Sequence, residues 1–228
     1  MSAGDLVDPR PATRPERVVL VGRHVRVEPL DPVRHRDALW AGLGGEANAA
    51  LWCYMHAGPF LDPVSFDNDL RARARTEDPL CFAIVDLEGG RAAGLACYMR
   101  IDVENRVIEV GSIVYGPGFQ RSRGATEAMY LMARHAFEDL AFRRYEWKCN
   151  ALNEASRRAA VRLGFTFEGI FRQHMIVKSR SRDTAWYSML DTEWPERRAE
   201  FERWLAPENF DAGGRQKTPL GADRRSFV

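Results

Sequence analysis

Two stretches of this 228-residue chain turn a strand directly into a helix, one soon after the other. The β-branched run "VIEVGSIVYGP" (107–117) leads through "FQRSRGATEA" (119–128) into "TEAMYLMARHAFEDL", where Met129, Met132, Ala133, Ala136 and Phe137 recur at helical spacing. Then "RRYEWKCN" (143–150) leads into "NEASRRAAVRLG" (153–164), closed by Gly164 just past the helix end. If those strands are neighbours in one sheet, both helix N-termini lie at the same sheet edge. Two positive helix ends at one edge suit a phosphorylated ligand.

The rest of the chain fits around this pair. A strand is expected over 18–30, "VVLVGRHVRVEPL", where Val25 and Val27 alternate with Arg26 and Glu28. Asp31-Pro32 and Asp62-Pro63 each open a helix, with aspartate as cap and proline in the first turn. Between them lies a loop containing "LWCYMHAGPF" (51–60). Strands "LCFAIVDL", "AAGLACYMRID" and "VIEVGSIVYG" follow, separated by the hairpin-like turns "EGGR" and "VENR". "FTFEGIFRQHMIV" and "DTAWYSML" form a closing strand pair, and "EWPERRAEFERWL" a last helix. Strands first and crossovers late imply a mixed α/β fold, a mostly antiparallel sheet flanked by helices. The expected organisation is a flexible segment over 1–17, one domain over 18–205 and a flexible tail over 206–228, both ends being rich in Pro, Gly and charge.

Composition narrows the function classes. With 45% apolar residues the chain can bury one sizeable core. The 33 basic and 32 acidic side chains leave a formal charge of +1, so no global field points to a nucleic-acid or membrane partner. Only three of the basic residues are lysines, Lys148, Lys178 and Lys217; the arginine excess reads as genome composition before it reads as anion recognition. Cys53, Cys81, Cys97 and Cys149 show no CxxC spacing and sit in apolar segments, which argues against a zinc site, any other metal centre or a disulfide framework. No apolar signal core or 18-residue apolar window is visible, so a cytoplasmic protein is expected.

The ordered set "ATEA", the Asn153-x-x-Ser156 pair followed by "LGF" and "EG", and a closing Asp183-x-x-x-Tyr187 resembles the RimJ/RimL-like branch of the GNAT superfamily of acyl-CoA-dependent N-acyltransferases, over about 19–194. That resemblance implies a GNAT fold with splayed central strands and acetyl-CoA as cosubstrate. The family's pyrophosphate loop reads Gln/Arg-x-x-Gly-x-Gly/Ala; here it is Gln120, Arg121, Ser122, Arg123, Gly124, Ala125, with Thr126 next. Arg123 stands where the first glycine is expected, and a glycine there would permit positive φ and close backbone approach. Either Gly124 takes the permissive role or the cofactor site is weakened, and Arg123 could itself pair with a phosphate oxygen.

By the same resemblance the backbone of Ile113 and Val114 meets the pantetheine and the thioester carbonyl. Asn153 contacts the pantetheine amide and Ser156 protonates the departing thiolate; both also read plainly as helix-capping residues. Attack on a thioester needs a neutral amine. Glu109, His174 and Asp183 are candidate bases, and water is the alternative. Trp52, Tyr54 and Met55 lie where the family walls its acceptor pocket, and equally read as core. Cys149 reads as a buried inert thiol. The implied activity is N-acetylation of a primary amine, on a small molecule or a protein N-terminus, by direct transfer in a ternary complex. The rival reading is a non-catalytic acyl-CoA sensor. An RNA partner is not expected, because Arg71, Arg73 and Arg75 spread around their helix; a homodimer is left open.

Overall fold

In a computed structural model that describes residues 4–221, the chain runs β1 (Leu20–Val21), β2 (Val25–Pro29), α1 (Pro32–Leu43), α2 (Pro63–Arg75), β3 (Leu80–Asp86), β4 (Arg91–Asp102), β5 (Val107–Tyr115), α3 (Arg123–Arg134), β6 (Arg144–Asn150), α4 (Glu154–Arg162), β7 (Thr166–Val177), β8 (Arg180–Leu190) and α5 (Trp194–Leu205). The eight strands form one sheet in the order β1-β2-β3-β4-β5-β6-β8-β7. Only β5 and β6 pair in parallel, so the two crossover helices α3 and α4 do leave the same sheet edge.

The local signals explain the helix starts. Asp31 caps α1 by accepting from the Val33 and Arg34 N–H groups, Asp62 caps α2 by accepting from Ser65, and proline follows each cap. Gly164 ends α4 at φ 100°. Strand β3 is buried at every position but its last, because helices cover both faces of the sheet. One face carries Phe82, Ile84, Tyr98, Ile108 and Val110 against α3 and α5; the other carries Ala83, Val85, Leu95 and Val114 against α1 and α2.

The single strand expected over 18–30 is broken. A tight turn separates β1 from β2, which pair antiparallel. The cause is a tertiary contact: the buried Glu127 carboxylate, from the "ATEA" of α3, accepts from the N–H groups of Arg23 (2.9 Å), His24 (2.6 Å) and Val25 (3.0 Å). A Cβ on Gly22 would lie 2.5 Å from Glu127 Oε2, so the turn also needs glycine for room.

The described segments before β1 and after α5 touch this body. The Ala12 N–H donates to Val103 O and the Thr13 N–H to Leu140 O. Beyond α5 the chain folds back, bridging Phe210 to Gln216 and burying Leu220; residues 222–228 of the tail lie outside the described residues. The cysteine expectation is corrected. Cys81 and Cys97 are register partners across β3 and β4, with Cα atoms 4.2 Å apart, and form a disulfide. Spacing alone does not reveal a pair that strand register creates.

Replacing Glu127 with alanine should cost about 2–4 kcal/mol in urea unfolding, since buried N–H groups lose a charged acceptor. Glu127→Gln, which keeps one oxygen, should cost less.

Candidate active site

Strands β5 and β6 pair only at Val107↔Arg144, Ile108↔Tyr145 and Glu109↔Glu146, although both run on, to Tyr115 and Asn150. Beyond Glu109 the β6-facing edge of β5 therefore has no strand beside it. The divergence coincides with an irregular β5: Ser112 sits at φ 53° and the β4–β5 register shifts between Leu95 and Cys97. An extended, amide-bearing chain could pair along such an edge.

The floor of this cleft is charged. Glu109 and Glu146 face each other at the last paired position, and the buried Lys148 ammonium lies 3.1 Å from Glu109 Oε2 and 2.6 Å from Glu146 Oε2. Arg100 Nε approaches Glu109 Oε2 at 3.2 Å, and Lys148 Nζ sits 3.8 Å from the centroid of the Trp186 ring. Burial pushes the Glu109 carboxyl up, against the pull of Lys148. Glu109 is thus an ion-paired group at the root of the cleft.

At one end of the cleft lies the loop before α3. Ser122 caps the helix by accepting from the Ala125 N–H at 3.0 Å. Positive φ falls on Arg121 (60°), not on Arg123, which is the first residue of the helix proper. An arginine therefore suits the position where glycine was expected. Gly124 is required for closeness instead: a Cβ there would sit 2.8 Å from Phe119 Cζ and 2.9 Å from Val25 Cγ1. The N–H groups of Arg121, Arg123 and Gly124 find no acceptor among the described residues, as the first turn of a helix leaves them. Gln120 donates to Tyr115 O at 3.0 Å, and Thr126 Oγ1 donates to Ser122 O at 3.3 Å. The Arg123 guanidinium lies 4.3 Å over the Phe210 ring, so the folded-back tail flanks this loop.

Asn153 caps α4, its side-chain oxygen accepting from the Ser156 N–H at 3.1 Å. Ser156 Oγ accepts from the Trp147 indole at 3.0 Å, which leaves its own hydroxyl hydrogen to donate elsewhere. Burial pushes the Cys149 thiol up, away from the thiolate form.

The aromatic loop divides. Trp52 does not line the cleft: it is fully buried among Phe60 and Phe66, with its indole donating to Leu43 O. That is a correction, and its cause is that the ring fills the core between α1, α2 and the sheet. Met55 packs against the same core. Tyr54 reaches across, donating to Leu152 O at 3.1 Å, while Lys178 Nζ donates to Trp52 O at 2.8 Å. The loop thereby joins the two diverging halves of the sheet. His174 Nδ1 is 3.0 Å from Thr184 Oγ1, its ring beside Phe171 and Trp186. Burial, then Arg100, Arg182 and Lys148, push its imidazole down toward the neutral form. Asp183 accepts from the Gln173 N–H at 2.7 Å and so shapes the β7 bulge. Arg71 and Arg73 pair with Asp67 and Asp69 one turn earlier, so the α2 arginines do not converge.

The chain matches the family description "Acetyltransferase (GNAT) domain" over residues 31–166. A GCN5-related N-acetyltransferase from Brucella melitensis is 47% identical, with 92% of this chain and 96% of that one covered at a TM-score of 0.91. A solved structure titled "probable acetyltransferases (GNAT family)" from Chromobacterium violaceum is 36% identical, covering 86% and 97% at a TM-score of 0.78. The chain belongs to the GNAT family. The Bacillus subtilis (strain 168) protein named "Putative ribosomal N-acetyltransferase YdaF" is 31% identical over 108 residues, 47% of this chain and 58% of that protein.

Within this GNAT chain, sequence reading missed four cleft residues. Lys148, His56, Arg182 and Trp186 gather from β6, the aromatic loop and β8, with His56 and Arg182 separated by 126 positions. His56 stood in the quoted "LWCYMHAGPF" and Trp186 in "DTAWYSML"; no local period connects them. No described helix is long and apolar enough to cross a membrane.

Lys148→Met should lower stability by about 3–5 kcal/mol at neutral pH, because two facing carboxylates lose their shared cation. Without Lys148 the Glu109 carboxyl, already pushed up by burial, rises further above its unfolded value. The folded form is then favoured when Glu109 is protonated, so the loss should shrink as pH falls and grow as pH rises through its folded pKa. Urea unfolding across that range reads it.

Proposed function

We propose that this GNAT protein is an acetyl-CoA-dependent N-acetyltransferase that acts on an amine by direct transfer in a ternary complex. The observation that carries the reading is the open β6-facing edge of β5, set between the N-termini of α3 and α4. The residues present fit the cosubstrate. The free N–H groups of Arg121, Arg123 and Gly124, in the turn shaped by Gln120, Ser122, Ala125 and Thr126, suit a pyrophosphate. The edge of β5 at Ile113 and Val114, which no strand flanks on the β6 side although Val114 pairs with Leu95 on the other, and the amide of Asn153 suit a pantetheine arm, whose own amides need partners. Acetyl-CoA supplies the acetyl group as an activated thioester.

Ser156 is the proton donor for the departing thiolate, held in place by Trp147 and the Asn153 cap. His174 is the proton acceptor for the incoming ammonium: burial and the neighbouring cations push it toward the neutral form, and it has no carboxylate partner among the described residues. Glu109, bound to Lys148 and Arg100, sets the charge at the floor of the site rather than taking the proton itself. The acceptor is the amine of a small molecule or of a protein N-terminus; the name of the Bacillus subtilis relative favours the protein, and the partial overlap with it leaves the small molecule in play.

Calorimetric titration with acetyl-CoA, followed by CoA release on an amine panel, tests this reading. Binding with turnover is expected; binding without turnover on any amine favours the sensor, and no binding removes both. Ser156→Ala and His174→Gln should each lower kcat by about a hundredfold. In the wild type kcat/KM should rise with pH through a pKa below the ordinary imidazole value, and His174→Gln should lack that limb.

A further inference from the structure

The cations around the cleft are matched with acceptors in all but one notable case: Lys178 has the Trp52 carbonyl, and the others but Arg182 have carboxylates. Arg73 pairs with Asp69, Arg100 with Glu109, and Lys148 with Glu109 and Glu146. Arg182, only 8% exposed, has no carboxylate within ion-pair distance among the described residues. Its Nη1 meets His56 Nε2 at 3.1 Å, and its Nε is buried with no hydrogen-bond partner. Burial and the neighbouring cations Arg182, Arg100 and Lys178 push His56 down, so the ring accepts from Arg182 and offers it no charge. A buried guanidinium with an empty donor is costly unless something anionic completes it.

Its position says what that something is attached to. Arg182 lies on β8 two residues beyond Thr184, the last residue paired to β6, so it stands at the open end of the cleft. Alternation along β8 sets it on the face of Thr184 and Trp186, opposite the core residues Ala185, Tyr187 and Met189. That face carries the Lys148, Trp186 and His174 group. The Glu109 carboxylate, on one of the two strands that diverge, lies near enough for its charge to favour the guanidinium.

We infer that Arg182 is a specificity-determining residue that binds a carboxylate on the acceptor, so that the substrates of this site are amines that also carry a carboxylate. The planar fork, with Nε unengaged, suits a two-point contact with a carboxylate. This rests on the acetyltransferase reading for the identity of the site, and on the unpartnered guanidinium for the ligand. His56 is a positioning residue: its ring holds Nη1 so that the remaining donors face the cleft.

Two measurements test it separately. Nitrogen-edited NMR of the Arg182 Nε–H during titration with hexanoate, which has a carboxylate and no amine, needs no acetyl transfer. A saturable shift is expected, and should vanish in Arg182→Gln; an Nε–H signal that does not move with hexanoate overturns the inference. Turnover is then compared on a matched set, 6-aminohexanoate, hexylamine and O-phosphoethanolamine. Arg182→Gln should raise KM for 6-aminohexanoate about 10–100-fold more than for hexylamine, the range for one charge-assisted contact, with Arg182→Lys intermediate. An equal loss on all amines makes Arg182 structural and overturns the proposal, as does a preference for O-phosphoethanolamine that Arg182→Gln abolishes. If no amine turns over while the hexanoate shift persists, the acetyltransferase reading fails and the carboxylate site stands.

Discussion

Two glutamates face each other at the last point where β5 and β6 touch. Glu109 and Glu146 are direct neighbours across that parallel pair, both buried, and unscreened they would drive the strands apart. Lys148, two residues on from Glu146 on the same face of β6, sets one ammonium between them and lays it against Trp186. The sheet can therefore stay paired up to Glu109 and open beyond it. An apolar trio in the same place would hold the strands together as well, but would leave nothing to end the pairing. Charges that must stay hydrated or paired favour a boundary between closed sheet and open cleft. Arg144 extends the network to Glu146 and Glu168, and Ser188 donates to Glu168 at 2.7 Å, so the far strands β7 and β8 are tied to the same boundary.

The helix starts were legible because they are local. Asp31 and Asp62 reach N–H groups two or three residues away, and such contacts can be read from adjacent letters. The alternation of strands and helices in the second half was legible for the same reason, and the splay of the central strands through family resemblance. What was not legible depended on register or on distance along the chain. The break at Gly22 requires Glu127 from a helix about a hundred positions later. Cys81 and Cys97 meet because a hairpin places them opposite, and Trp52 is core because its ring reaches Phe66, which no period in "LWCYM" announces.

Arg123 shows how a motif can mislead about mechanism while pointing to the right place. A glycine in a phosphate loop serves either conformation or clearance, and the letter does not say which. Here the positive φ belongs to Arg121 and the clearance to Gly124, while Arg123 occupies an ordinary first helical position. Its side chain is free to stack on Phe210, which brings a tail that reads as a flexible trailer up against the loop.

The same cleft bears on how an ammonium acceptor could become a nucleophile. Burial, and after it Arg100, Arg182 and Lys148, push the His174 imidazole toward its neutral form, and a second ammonium placed beside those cations would feel the same push. Because the field acts on both groups alike, it changes little in the proton equilibrium between amine and imidazole. It moves both away from their charged forms at neutral pH. A carboxylate on the acceptor, seated at Arg182, would weaken that field only where it neutralises Arg182, leaving Lys148 and Arg100 in the pairs that hold the floor. On the proposed mechanism a strong base is therefore not required: the cations would lower the cost of the neutral amine, and the imidazole would need only to give the proton a route out.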